Sequence, residues 1–398
     1  MLSHQRSCSL TGLLTAATIA VGAIVAVAHS TSGDIDVGDY WRRPLASQGE
    51  PPGRWSAVER SLAPADCGQC HSAQLTDWQT SRHAHSFSPG LVGQLLTLDP
   101  GATAECMQCH APLDEQRAAF ETARGAGAAA TADGPGIASA GNSCGGCHLR
   151  AYRHFGPPQR GSAATGPSET DAPHGGVFRT ALFEKGQYCG SCHQFAAETA
   201  VNGKPLENTV VEWEQSAQAA HGITCQSCHM PDRRHLWRGI HDPGMVASGL
   251  TPRFTVDAAH ARFEIINTGV GHAFPTYVTP KVMMRAVALD AEGAPRAETL
   301  RSREIARDVR YVTDRWVELA DSRLLPGQSA TIELSWNGSD RVRVWLDVVP
   351  DDFYEREVFP SLIEALPAQS DAQRLITKAA ADAAVSHYRL FETELKRP

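Results

Sequence analysis

The chain has 398 residues, of which 42% are hydrophobic and 20% are charged, and this composition is that of an ordinary soluble globular protein. The length leaves room for two domains. A formal net charge of −8 argues against a protein that binds nucleic acids, because phosphate binding requires a basic surface.

The N-terminal part contains an uncharged run over residues 10–28, with Arg6 before it and acidic residues after it. This charge pattern predicts that the rest of the chain is exported, which places it in the periplasm. The run ends at Ala28 in a small-residue cleavage site, so we expect 1–28 to be a signal peptide. The run also approaches the length of a membrane span, and the alternative is a retained transmembrane anchor in the inner membrane. Residues 29–60, rich in Pro, Gly and charge, are predicted to be an exposed linker.

Ten of the 11 cysteines fall into five copies of the sequence C-x-x-C-H, and the remaining cysteine lies in the leader. The first cysteine, second cysteine and histidine of the copies are Cys67, Cys70 and His71; Cys106, Cys109 and His110; Cys144, Cys147 and His148; Cys189, Cys192 and His193; and Cys225, Cys228 and His229. This spacing is the attachment signature of c-type haem. The two thiols bind the two vinyl groups of one haem, and the adjoining imidazole binds its iron. The sequence therefore predicts five c-type haems.

Other kinds of site also use pairs of cysteines at this spacing. A single C-x-x-C occurs in thioredoxin-like redox pairs, in half of a zinc site and at the end of a disulfide. None of these requires a histidine directly after the second cysteine. All five copies have that histidine, and this favours haem attachment.

The haem-binding part is expected over 61–250. Because five motifs share so little polypeptide, the haems must supply much of the apolar core, and we expect short helices between long loops. Candidate helices are 74–86, 113–124 and 207–220. Stretches rich in Gly, Ala, Ser and Pro predict surface loops over 125–143 and 156–173.

After residue 250 the pattern changes to short alternating runs of apolar and polar residues. These runs cover 261–267 and parts of 281–290, 330–336 and 341–349, and turn residues separate them. They predict a small antiparallel β-sandwich-like domain over 251–360. A helical pattern from residue 370 to about 394 predicts a C-terminal helix within 361–398.

Each iron also needs a second axial ligand, and ten histidines after residue 29 and outside the motifs are available. The sequence favours histidines that lie on a helix, in a rigid turn or close to a motif, and these are His83, His174, His235, His241 and His272. His154 and His221 compete with His174. Methionine is the other common axial ligand, but the supply of histidine makes it unnecessary.

These residues resemble the multihaem cytochromes related to the tetrahaem electron carrier of hydroxylamine oxidation. The resemblance rests on the first motif with Trp78 and Ser81-Arg-His83-Ala, on the fifth motif with Met-Pro231, and on Gly271-His272-Ala-Phe-Pro-Thr276. It implies closely stacked haems that are mostly bound by two histidines, and it supports His83, His235, His241 and His272 as distal ligands. The fifth motif and the β-domain depart from that family's pattern.

The function expected from these features is electron transfer through five haems between periplasmic or membrane redox partners, without catalysis. The alternative is an oxidoreductase in which one haem keeps an open site for a small nitrogen or sulfur compound. Related pentahaem nitrite reductases mark the active haem with a lysine in place of the motif histidine, and all five motifs here end in histidine. This favours the carrier. An oligomer is compatible with either function.

Overall fold

The computed structural model describes residues 35–126, 136–162, 164–167 and 172–398. The predicted signal peptide or anchor over 1–28 lies outside these ranges. Among the described residues, no helix combines the length and the apolar character needed to cross a membrane.

Short helices joined by loops form the first part of the described chain. The α-helices are Val37–Tyr40, Ala57–Arg60, Pro64–Cys67, Ser72–Gln79, Pro89–Leu95, Pro100–His110, Asp114–Gly125, Cys144–His148, Gln187–His193, Thr209–Glu214, Ala217–Ala220, Cys225–His229 and Pro243–Gly249. Single 3-10 turns lie at Ile137–Ser139, Pro173–Gly175, Ala181–Glu184, Ala197–Thr199 and Pro231–Arg233. A small sheet has the order β1-β2-β4-β3, with β1 at Leu149–Arg150, β2 at Arg153–Gly156, β3 at Gly166–Pro167 and β4 at Phe178–Arg179.

The structure contains a helix in each of the three stretches for which helices were predicted, with different ends. The helix predicted over 74–86 ends at Gln79, so His83 lies in the turn that follows it. The stretch 207–220 is divided into two helices at Ser216, whose hydroxyl caps the second helix. The helix Asp114–Gly125 agrees closely with its predicted range.

Several residues of the segment 35–60 are packed against the haem-binding part, and the prediction of an exposed linker is wrong for these buried residues, while others in the segment are exposed. Tyr40, Trp41 and Leu45 lie in an apolar cluster with Leu182. The Tyr40 hydroxyl donates a hydrogen bond to the Cys147 carbonyl at 2.6 Å. The abundance of Pro and charge in this segment suggested exposure, but its aromatic side chains bury it.

Two antiparallel sheets follow, with a common apolar core. The strands are β5 Leu250–Val256, β6 His260–Asn267, β7 Lys281–Ala288, β8 Arg301–Ile305, β9 Arg307–Val312, β10 Arg315–Asp321, β11 Ser329–Ser335, β12 Arg341–Val349 and β13 Tyr388–Lys396. One sheet has the order β11-β6-β5 and the other has the order β13-β12-β7-β8. Alternate residues of β6 and β12 point into the core, as the alternating sequence predicted. Strands β9 and β10 form a separate hairpin.

Arg307 joins this hairpin to the haem-binding part. Its guanidinium is completely buried and is paired with Glu318. It also donates hydrogen bonds to the carbonyls of Val201, Lys204 and Pro205. The two parts of the chain are therefore held together by a buried charge.

The C-terminal prediction is only partly correct. A π-helical turn, Tyr354–Val358, leads into the helix Phe359–Ala365, and the predicted helix then spans Asp371–Ala384. Beyond it, β13 pairs with β12 and completes the larger sheet, where a continued helix was expected. The helix Asp371–Ala384 packs on Pro89–Leu95 in the haem-binding part. A Cβ atom at Gly93 would lie 2.8 Å from Ile376, so glycine permits this close approach.

Candidate haem-binding site

The five C-x-x-C-H motifs lie on or beside short helices. In motifs two to five the whole sequence from the first cysteine to the histidine is helical, and the histidine is the last helical residue. In motif one the helix Pro64–Cys67 ends earlier, and His71 is the N-cap of the next helix. A helix places residues three and four apart on one face, so the two thiols and the imidazole of a motif point to the same side.

Four motif histidines face a second histidine from another part of the chain. The distances between ring centres are 6.4 Å for His71 and His174, 6.1 Å for His148 and His235, 6.2 Å for His193 and His83, and 6.4 Å for His229 and His272. Four of the five histidines predicted as distal ligands are therefore brought to motifs one, three, four and five. His83 faces motif four, and His272 comes from the turn that enters the β-domain.

These separations fit one iron between two imidazoles. A ligating imidazole nitrogen lies about 2 Å from a first-row metal and its ring centre about 1 Å further, so two imidazoles on opposite sides are centred about 6 Å apart. A haem supplies the four remaining ligands from its porphyrin. In the described ranges, no group of three His, Cys, Asp or Glu side chains is close enough to hold a metal ion without such a cofactor.

Hydrogen bonds also orient these imidazoles. The Nδ1 atoms of His148, His229 and His272 lie 2.7 to 2.9 Å from the carbonyl oxygens of Phe155, Arg238 and Ala273. When the other ring nitrogen binds a metal, Nδ1 carries the proton and donates it to such an acceptor. The polypeptide thus fixes the tautomer that leaves Nε2 available for iron.

The environment keeps several of these imidazoles neutral, which is the form that binds metals. Burial lowers the pKa of His83 to about 3, and neighbouring histidines add to the shift. Burial also lowers the pKa values of His148 and His272 to about 4, against the opposing effect of their hydrogen bonds to carbonyls.

Contacts between motifs show which of them are neighbours. The helix Pro64–Cys67 of motif one contacts the helix Cys144–His148 of motif three. Arg43 bridges Cys109 of motif two and Cys192 of motif four. Cys225 Sγ of motif five lies 3.8 Å from the carbonyl oxygen of Gly186, just before motif four. Tyr188, just before motif four, donates a hydrogen bond from its hydroxyl to the Cys147 carbonyl at 2.8 Å, which joins motifs three and four. Motif four therefore lies between the pair one and three on one side and motifs two and five on the other.

Arg43 lies at the contact between motifs two and four. Its two terminal nitrogens donate to Cys109 Sγ at 2.8 Å and to Cys192 Sγ at 2.7 Å. Sequence reasoning missed this residue because it had placed Arg43 in an exposed linker. The aromatic residues Tyr40 and Trp41, which precede Arg42 and Arg43, were the available signal that this segment is packed.

Motif two differs from the others. Among the described residues, no second imidazole faces His110 at the separation found for the other four motif histidines. His110 Nδ1 lies 3.1 Å from the Ser86 carbonyl, which is the same orientation as in the other motifs. His241, the remaining predicted distal ligand, has its Nε2 3.0 Å from a carboxylate oxygen of Asp351.

Beside motif two, the π-helical turn places Tyr354 near the first cysteine, Cys106. Burial raises the pKa of Tyr354, and the nearby charge of Asp351 raises it further. Its hydroxyl therefore stays protonated and is available as a hydrogen-bond donor. Single π-helical turns are frequent at functional sites.

A cavity of about 630 Å³ beside His235 has three arginines in its lining, together with Asp77 and Asp232. Arg160, Arg233 and Arg234 contribute guanidinium groups, and Arg234 is paired with Asp77 at 2.6 Å. Guanidinium groups bind carboxylates in a two-pronged geometry, and haem carries two propionates. The lining therefore fits the polar edge of a haem.

Comparison with known proteins gives a family match and a structural similarity. Residues 66–133 match the family described as cytochrome c554 and c-prime. The structure is similar to a penta-heme cytochrome c552 from Thermochromatium tepidum, with a TM-score of 0.57, 20% sequence identity, and coverage of 86% of this chain and 100% of that chain. At this identity the second similarity is one of fold. No curated protein matches the chain. Together the two similarities support a multihaem c-type cytochrome.

Proposed function

We propose that the chain binds five c-type haems and relays electrons between redox partner proteins in the periplasm. The observation that carries this proposal is the set of four histidine pairs with ring centres 6.1 to 6.4 Å apart. An iron bound by two imidazoles has no free position for a substrate. Such a haem exchanges electrons without exchanging ligands, which is what a relay requires.

The contacts between motifs support a continuous route. Motifs one and three are neighbours, motif three adjoins motif four, and motif four adjoins both two and five. Every motif thus has at least one other motif beside it. The protein's contribution is to hold the haems close together and to set their potentials through axial ligands and hydrogen bonds.

The periplasmic location is supported by the predicted export signal over 1–28 and by the chemistry of the motifs, because c-type haem is attached after export. The net charge of −8 suits a redox partner with a basic docking surface. Association with such a partner should slow as salt is added. Mass spectrometry of the mature N-terminus distinguishes a cleaved signal from a retained anchor.

A second candidate function is favoured by motif two. Because no second imidazole faces His110 in the described ranges, a haem at this motif has an open distal position. An open haem binds small ligands, and the protonated hydroxyl of Tyr354 is a nearby hydrogen-bond donor. This arrangement suits an oxidoreductase that acts on a small nitrogen or sulfur compound, with the other four haems supplying or removing electrons.

Electron paramagnetic resonance and optical spectra of the oxidised protein test both functions. The relay requires at least four low-spin haems whose signals do not change when nitrite, hydroxylamine or carbon monoxide is added. The open site adds one high-spin haem in five that responds to these ligands. Fewer than four low-spin haems would contradict the relay, and an entirely low-spin, unresponsive protein would contradict the open site.

A further inference from the structure

The histidine of motif four has a different hydrogen-bond partner from those of its counterparts. His193 Nδ1 lies 2.8 Å from Oε1 of Glu207, a carboxylate. In the other motifs for which the structure shows an Nδ1 contact, the acceptor is a neutral backbone carbonyl. These contacts join His110 to Ser86, His148 to Phe155 and His229 to Arg238.

Glu207 is held in place for this contact. The Glu207 side chain is 12% exposed, whereas the His193 side chain is 48% exposed, so the carboxylate is the more buried partner of this contact. The Glu207 backbone carbonyl accepts a hydrogen bond from the Phe195 amide at 2.9 Å, close to the end of motif four. The helix Thr209–Glu214 begins two residues later. The backbone of Glu207 is thus held between the end of motif four and the start of the helix Thr209–Glu214, which keeps its carboxylate close to His193.

We propose that Glu207 lowers the reduction potential of the haem at motif four, which makes it a positioning and tuning residue for electron transfer. A carboxylate that accepts the Nδ1 proton draws it away from the ring and makes the imidazole a more basic ligand. A more basic axial ligand stabilises Fe(III) relative to Fe(II), and hydrogen bonding around the ligand is a recognised means of setting haem potentials. The inference rests on the proposed ligation of iron by His193.

Because of the position of motif four, a lower reduction potential of its haem would affect electron transfer between the other haems. Motif four joins the pair formed by motifs one and three to motifs two and five. If its haem has a lower potential than its neighbours, electrons reside on the flanking haems and pass through the centre only briefly. In a partly reduced protein, the haem at motif four is then among the last to be reduced.

The experiment is a spectroscopic redox titration of the full chain carrying Glu207→Gln, with Glu198→Gln as the matched control. Gln keeps an oxygen that accepts the hydrogen bond but removes the carboxylate charge. Glu198 is exposed on the nearby 3-10 turn Ala197–Thr199, so its substitution removes the same charge away from the motif histidine. We expect one haem in E207Q to have a higher reduction potential. At a fixed ambient potential, its ratio of reduced to oxidised iron should rise about tenfold, which corresponds to a shift of about 59 mV for a one-electron reduction. The control should leave all potentials unchanged.

A second variant separates the hydrogen bond from a general charge effect. Glu207→Asp keeps the charge but withdraws the carboxylate by one methylene, so the hydrogen-bond account predicts a rise in potential here too. Unchanged potentials in E207Q, or a rise in E207Q without one in E207D, would overturn the proposal. Haem content and the number of low-spin haems are measured first, because a protein with no haem at motif four would refute the proposed ligation itself.

Discussion

The substitution His272→Ala tests whether the β-domain supplies an axial ligand to a haem in the other part of the chain. His272 lies in the turn before β7, and its ring is nearly parallel to that of His229, with 12° between the planes and 6.4 Å between the centres. Alanine leaves His229 and both cysteines of motif five in place. We therefore expect the haem to remain attached and to lose only its distal ligand.

The size of the effect follows from the number of haems. If five haems bind as proposed and the haem at motif two is open, because no imidazole faces His110 among the described residues, we expect one haem in five to be high-spin in the unmodified protein. Removing His272 makes a second haem five-coordinate, so the high-spin fraction rises from one fifth to two fifths of the iron. Loss of a strong imidazole ligand also changes the potential of that haem alone.

The assay is quantitative electron paramagnetic resonance of the oxidised protein, combined with the optical high-spin band and with carbon monoxide binding after reduction. His260→Ala is a suitable control, because His260 lies on β6 of the same domain with 40% of its side chain exposed. An unchanged high-spin fraction in the His272 variant, at full haem content, would refute ligation by the β-domain.

Three further substitutions test how the N-terminal segment, the hairpin of β9 and β10, and the helix Asp371–Ala384 pack on the haem-binding part, each by guanidinium denaturation of the full chain. Trp41→Ala removes an aromatic side chain that is 6% exposed and packs edge-to-face on Tyr188. The substitution should lower the free energy of unfolding by about 3–5 kcal/mol. A decrease of less than about 1 kcal/mol would support the original prediction that this segment is an exposed linker. Arg307→Met leaves the buried Glu318 carboxylate without its guanidinium partner and should lower the free energy of unfolding by about 3–5 kcal/mol. An unchanged free energy of unfolding would show that Arg307 does not hold the hairpin to the haem-binding part. Ile376→Ala opens a cavity between the C-terminal helix and the haem-binding part and should lower the free energy of unfolding by about 2–5 kcal/mol. No measurable decrease would contradict the packing of Ile376 on Gly93.

Much of the β-domain could be predicted from the sequence because apolar and polar residues alternate regularly along several of its strands. The runs predicted at 261–267 and 341–349 correspond to His260–Asn267 and Arg341–Val349. Strand Tyr388–Lys396 was missed because the preceding helical pattern was extended through it. Its apolar residues Tyr388 and Leu390, followed by Phe391 and Leu395, were a signal of a strand, but its place beside β12 depends on a partner far away in the sequence.

The site was predictable to the extent that it depends on local spacing. The motifs specify cysteines and proximal histidines directly, and turns or nearby motifs indicated four histidines that the structure brings to them. The sequence could not show that His83 faces motif four or that His241 lies beside Asp351, because these relations depend on how distant segments pack. Glu207 carried no signal, since one glutamate in a polar stretch is indistinguishable from a surface residue.

The most direct test of the account is the number of haems on one purified polypeptide, obtained by intact-protein mass spectrometry together with iron analysis. The account predicts a red protein with five covalently attached haems, five irons and no alkylatable thiol among the ten motif cysteines. A colourless protein, bound zinc, or disulfides between those cysteines would contradict it.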